Sequence, residues 1–194
     1  MAILKIARMG HPILCRRAED VADPAAPEIR TLADDMLQTM LDAPGTGLAA
    51  PQVHVPLRMV IFRVPLTAGE DIAGAEAPLT VLINPILEPL GDETVAAWEG
   101  CLSLPGLRGL VPRYAHLRYR GVDLVGAPID RTVDGFHARV VQHECDHLDG
   151  ILYPQRMADL TGLIFESEMR HLIAEPRANE QTSKENAAEE AVEA

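Results

Sequence analysis

Residues 140–150 read VVQHECDHLDG, and His143 and His147 can reach a common ion only if the backbone between them is helical. On a helix advancing about 100° per residue the two imidazoles lie about 40° apart in projection, one turn above the other, which presets two ligands. Cys145 points about 200° away from His143 and cannot share that ion while the helix holds, so it is expected in the core. Glu144 stands about 100° round from His143, beside the metal face, where a base must sit to hold a water. Gln142 and Asp146 are candidates for the outer hydrogen bonds that fix ring orientation.

The rest of the chain has to supply a fold around this helix. Ile29, Leu32, Ala33, Met36, Leu37 and Met40 recur at helical spacing, with Pro27 suited to the first turn and Pro44-Gly45 closing the segment. Between about 57 and 125 the texture changes to short β-rich runs, LRMVIFRV, LTVLINPI and AHLRYRGVDL, punctuated by Pro and Gly. Helical pattern returns from Val133 to about Leu148, ended by Gly150, and a third helix is expected over 158–174. The order helix, strands, helix, helix predicts an α+β fold with antiparallel or mixed sheets. Residues 1–175 read as a single catalytic domain. After Pro176 the segment RANEQTSKENAAEEAVEA holds no Ile, Leu, Met or aromatic residue and cannot bury a face, so 176–194 is expected to be a disordered acidic tail.

Charge and cysteine usage narrow the function. Twenty-nine acids against 17 Lys and Arg give a formal net charge of −12, which argues against a protein built to neutralise phosphates. Cys15, Cys101 and Cys145 make an odd count without framework spacing, and MAILKIARMG is too short and interrupted for a signal peptide. A reducing cytoplasm is the expected location. No window approaches the roughly 18 apolar residues of a membrane span.

The third metal ligand is open on spacing alone. A metzincin pattern would continue H-x-x-G-x-x-H; the chain supplies Gly150, but position 153 is Tyr. A thermolysin-like site would take a glutamate about twenty residues downstream, where Glu166 and Glu168 fall. Upstream, Cys101 in WEGCLSLPG follows Gly100 at the edge of β-rich sequence, where a thiolate can turn inward. With His143 and His147 it would make a one-thiolate, two-imidazole site with a fourth position open. Taken alone, Cys101 reads first as a buried apolar cysteine.

GTGLAAPQ (45–52), EGCLS (99–103) and QHECDH (142–147), in this order, resemble the three signature motifs of the peptide deformylases. The resemblance runs from an N-terminal strand to a C-terminal helix. It implies sheets packed around a central metal-binding helix, with an N-terminal and a C-terminal helix beside it. It also implies Cys101, His143 and His147 as metal ligands and Glu144 as general acid and base. The activity it implies is hydrolysis of the formyl group from N-formylmethionyl nascent peptides, releasing formate. The implied ion is Fe²⁺, with Zn²⁺, Ni²⁺ or Co²⁺ as other occupants, since ligand type does not select among borderline metals. The expected enzyme is a cytoplasmic monomer with transient ribosome contact.

Within that reading, the Gln52 carboxamide and, by resemblance, the backbone N–H of Leu102 would serve the oxyanion. Gly47 permits close backbone approach, and the resemblance implies that the substrate lies there as an added strand. Phe136 and Val140 fall on the metal-bearing face and would line a methionine pocket, with Arg139 at its mouth or snorkelling. Glu99 and Arg113 are expected to pair. Thr46 stands where many family members carry a bulkier aliphatic residue, which leaves open a weakly active or repurposed paralogue.

Overall fold

The computed structural model describes residues 2–64 and 78–174. Two antiparallel sheets enclose one helix. The first sheet runs in the order β1 (Gly47–Ala49), β2 (Met59–Arg63), β3 (Leu79–Pro89), β6 (His116–Val122), β7 (Pro128–Asp134). The second is β4 (Thr94–Cys101), β5 (Leu104–Tyr114), β8 (Leu163–Phe165). Every strand pairing is antiparallel.

Alternation along β2 explains the layering. Val60 and Phe62 face α2 (Gly135–Leu148), joining Leu82, Leu117, Tyr119, Val141 and Cys145 in one core cluster. Met59 and Ile61 face the other way, onto Ile29, Ala33, Met36 and Met40 of α1 (Pro27–Asp42). The predicted first helix is thus present, with Pro27 in its first turn, where a missing N–H costs nothing. A third cluster, Leu104, Val111, Leu152 and Tyr153, fills the space under the second sheet. Covered by both sheets, α2 is buried at every residue from His137 to Leu148.

Three boundaries differ from the sequence reading. Val133 belongs to β7, opposite Leu117, and the helix begins at Gly135, whose φ of 51° makes the corner that L-residues resist. The helix expected over 158–174 is confined to α3 (Met169–Ala174). Before it, Leu163–Phe165 pairs with the open edge of β5, Leu107 against Phe165 and Gly109 against Leu163, because an unpaired strand edge outbids a weakly periodic helix. No strand forms over residues 2–7; backbone bonds from Ala7 to Gln52 and from Met9 to Ser103 tie this segment down. The acidic tail lies outside the described residues.

Candidate metal centre

α2 and the β4–β5 hairpin build the site between them. Cys101 is the last residue of β4, not a loop residue, and pairs with Leu104 across the two-residue turn Leu102–Ser103. An irregularity between Glu99 and Cys101 re-aims the strand end, and both side chains meet α2. Cys101, His143 and His147 each offer a ligand atom, all within 4.8 Å of one another. Among the described residues this is the one such cluster. Glu166 and Glu168 lie outside it, on the surface, bonded to Arg108 and Ser167.

Each imidazole has its far nitrogen occupied. His143 Nδ1–H donates to Glu99 Oε2 at 2.8 Å, and His147 Nδ1–H donates to the Ile151 carbonyl at 3.2 Å. Both Nε2 atoms are thereby left for the third side, and His147 Nε2 lies 3.4 Å from Cys101 Sγ. The Tyr153 ring stacks on His143 with centroids 6.2 Å apart. Where a metzincin would place its third histidine, this chain holds an aromatic wall.

Glu99 anchors a buried ion network. Arg113 donates to both its oxygens, at 2.9 and 3.0 Å, as the sequence reading expected, and Arg139 Nη1 adds a third bond at 2.8 Å. Arg139 does not snorkel: it lines the cavity beside the cluster while its buried guanidinium donates to the Val111 and Val95 carbonyls. Arg113 continues to Asp146 at 2.5 Å, and Arg156 holds Asp146 from outside. Asp146 thus steadies His143 through Arg113 and Glu99 instead of touching a ring, while Gln142 clamps the Tyr114 backbone through both N–H and C=O. Burial raises the Glu99 carboxyl, but His143 and Arg113 outweigh it and hold the group well below its usual range.

The proton inventory suits a cation. Burial opposes charge on Cys101, yet the two imidazoles draw the thiol well below its ordinary value. Burial likewise opposes a proton on His143, which Cys101 and Glu99 nonetheless retain. A divalent ion entering here would meet a thiol already inclined to give up its proton and would take the place of the proton that His143 holds. A soft thiolate with two imidazoles, open on the side of Glu144, is a donor set that borderline divalent metals fit.

Glu144 is buried, and its Oε2 has no hydrogen-bond partner among the described residues. Burial pushes its carboxyl up to about 7 against the pull of the nearby histidines. The Gly47 backbone lies directly on this carboxylate, so a Cβ at position 47 would overlap it. Gln52 Oε1 accepts from the Ala49 N–H at 2.9 Å, which turns its Nε2 toward Cys101 Sγ, 3.4 Å away, and Ser103 Oγ, 3.1 Å away. A cavity of about 550 Å³ opens over the cluster, lined among others by Thr46, Gly47, Trp98, Leu102, Phe136 and Val140. Val140 is buried in its wall and Phe136 stands largely exposed at its edge. Cys145 packs against the first sheet, where burial pushes its thiol well up.

Sequence reasoning missed four residues. Arg58 caps α2 by donating to the Leu148 carbonyl and pairing with Asp149 at 2.7 Å. The others are Ser103, Tyr153 and the outer arm Arg156, none of which carries a local pattern.

Residues 3–162 match the family model described as polypeptide deformylase. A peptide deformylase 1 of Nitrosomonas europaea is 56% identical over 158 residues, covering 81% of this chain and 89% of the relative. The Met-Ala-Ser-bound crystal structure of a class I type b peptide deformylase from Acinetobacter baumannii superposes with a TM-score of 0.72 at 35% identity, over 80% of this chain and 99% of that one. A Synechococcus elongatus peptide deformylase in complex with actinonin gives 0.74 at 33% identity, covering 84% and 82%.

Proposed function

The chain belongs to the peptide deformylase family, and from that premise we propose how its residues divide a metal-dependent hydrolysis that removes the formyl group from N-formylmethionyl nascent peptides. Cys101, His143 and His147 hold the ion, and Fe²⁺ is the physiological occupant, with Zn²⁺, Ni²⁺ and Co²⁺ able to replace it. When bound, the ion acidifies water and polarises the formyl oxygen.

The remaining work falls to protein groups. Glu144, buried and with a free carboxylate oxygen, accepts the water's proton and returns it to the amine nitrogen that departs. Gln52 Nε2 donates to the oxyanion that develops on the formyl group, and its orientation is fixed beforehand because Ala49 occupies its oxygen. The Leu102 N–H, in the turn directly after Cys101, is the second donor. Among the described residues β1 pairs only with β2, and its other edge takes the peptide as an added strand across Gly47. Val140 and Leu102 receive the methionine side chain, and Phe136 shields it from solvent. Thr46 borders the same cavity. That a relative was crystallised with Met-Ala-Ser bound supports a peptide as the ligand.

The observation that carries the reading is the unpartnered carboxylate oxygen of Glu144 beside three converging donor atoms. We further infer a catalytic unit over residues 1–175 that works as a monomer in the cytoplasm with transient ribosome contact. No helix among the described residues is long and apolar enough to cross a membrane. The test is formate release from formyl-Met-Ala. Glu144→Gln should lower it by about 10²–10⁴-fold with one ion per chain retained. Wild-type turnover in this variant would remove Glu144 from its role.

A further inference from the structure

Glu166, which on spacing could have been a metal ligand, sits instead on the rim of the cavity, opposite Arg108. Strand pairing puts it there: Arg108 of β5 faces Ile164 of β8, and two residues later the chain turns Glu166 back over the pair. Arg108 Nη2 donates to Glu166 Oε1 at 2.5 Å, with the side chains 37% and 53% exposed. The Arg108 guanidinium lies against Gly100, so closely that a Cβ there would overlap it. A full positive charge is therefore held one residue from Cys101, inside the space any bound peptide must cross. Left alone, it would favour peptides with acidic side chains and penalise basic ones. Paired with Glu166, its field is cancelled where the peptide passes.

We propose that Glu166 is a specificity residue that neutralises Arg108, so that the site accepts formylated peptides whatever the charge on the residues after methionine. The proposal rests on the deformylase reading and deepens it. Nascent chains differ in every residue beyond the first, and an unmasked arginine in the cavity would sort them by charge. The half-exposed pair adds little stability. Its effect is on selection among substrates.

The experiment measures kcat/KM for formyl-Met-Xaa-Ala and formyl-Met-Ala-Xaa, with Xaa either Asp or Lys, in wild type, Glu166→Gln and the Arg108→Met/Glu166→Gln double variant. Wild type should show an Asp:Lys ratio near one. Glu166→Gln should raise the ratio roughly fivefold in at least one series, mainly through KM, as an unmasked surface charge allows. Added salt should erode the shift, and the double variant should abolish it. An unchanged ratio in Glu166→Gln, an equal slowing of all peptides, or a shift that survives loss of Arg108 overturns the proposal. Formyl-Met-Ala, uncharged beyond its terminus, is run on the same preparations. Its hydrolysis by wild type tests the deformylase reading separately, and failure there would take the proposal down with it.

Discussion

The two flanks of α2 treat polar groups in opposite ways. On the flank facing β4 and β5, Glu99, Arg113, Arg139 and Asp146 are buried and bonded to one another at 2.5 to 3.0 Å, so that their charges are matched. On the flank facing β1, Glu144 is equally buried but keeps an oxygen with no hydrogen-bond partner among the described residues, while at the end of β4 the two imidazoles draw the Cys101 thiol well below its ordinary value. Satisfied groups are rigid and inert, whereas the unsatisfied carboxylate waits for water and substrate. One flank holds the geometry that the other uses. His143 belongs to both, through Nδ1 to Glu99 and Nε2 to the donor cluster.

The comparison breaks most visibly at Arg113. Arg113→Met leaves Glu99 and Asp146 as buried carboxylates short of their central cation, which should cost about 3–5 kcal/mol. In a chain of this size that is a fall in melting temperature of roughly 10 °C. Thermal unfolding checks it, with Glu144→Gln as the control that should change the melting point by less than about 2 °C, since no bond is lost there. Equal destabilisation by the two variants would mean that the flanks do not differ as described.

On the reactive flank, Gln52→Ala should lower kcat by about 10²–10³-fold, the value of one oxyanion donor, with KM changed much less. Steady-state kinetics with formyl-Met-Ala separates the two parameters. A loss confined to KM would make Gln52 a binding residue only.

How much of this was readable beforehand follows from range. Helical periodicity is local, so α1 and the facing of His143, His147 and Cys145 were legible within a few residues. The pairing of Cys101 with a helix more than forty residues away left no local trace, and a glutamate at 166 or 168 fitted the spacing as well. What made the cysteine readable was motif resemblance. The ion network was legible at Glu99–Arg113 and in the supporting role of Asp146, but not at Arg139 and Arg156, which are ordinary charged residues until two elements meet. β8 was missed because a three-residue strand is specified by the open edge of β5 and scarcely by its own sequence.

Cys145 sharpens the contrast between the two cysteines. It is 4% exposed and packs in the apolar core cluster of the first sheet, outside the group of metal-ligating side chains. Cys145→Ala should cost about 1 kcal/mol, the ordinary scale for a small core change, and leave metal content and turnover intact. Cys101→Ala should abolish metal retention. Elemental analysis of the two purified variants decides between them.

The smallest effect is expected where the satisfied flank meets water. Arg156 makes two bonds to Asp146, at 2.7 and 3.2 Å, so on a count of contacts it rivals Arg113. Its side chain is 47% exposed, however, against 5% for Arg113, so solvent screens its charge and replaces its bonds when it is removed. Arg156→Ala should therefore cost under about 1 kcal/mol, within the range of exposed ion pairs, and leave His143 in place because Arg113 still holds Asp146. A double-mutant cycle of Arg156→Ala with Asp146→Asn, read by denaturant unfolding, measures the coupling. A coupling as large as that of a buried pair would show that the network's rigidity reaches the surface, and that burial is the wrong place to draw the line between its two ends.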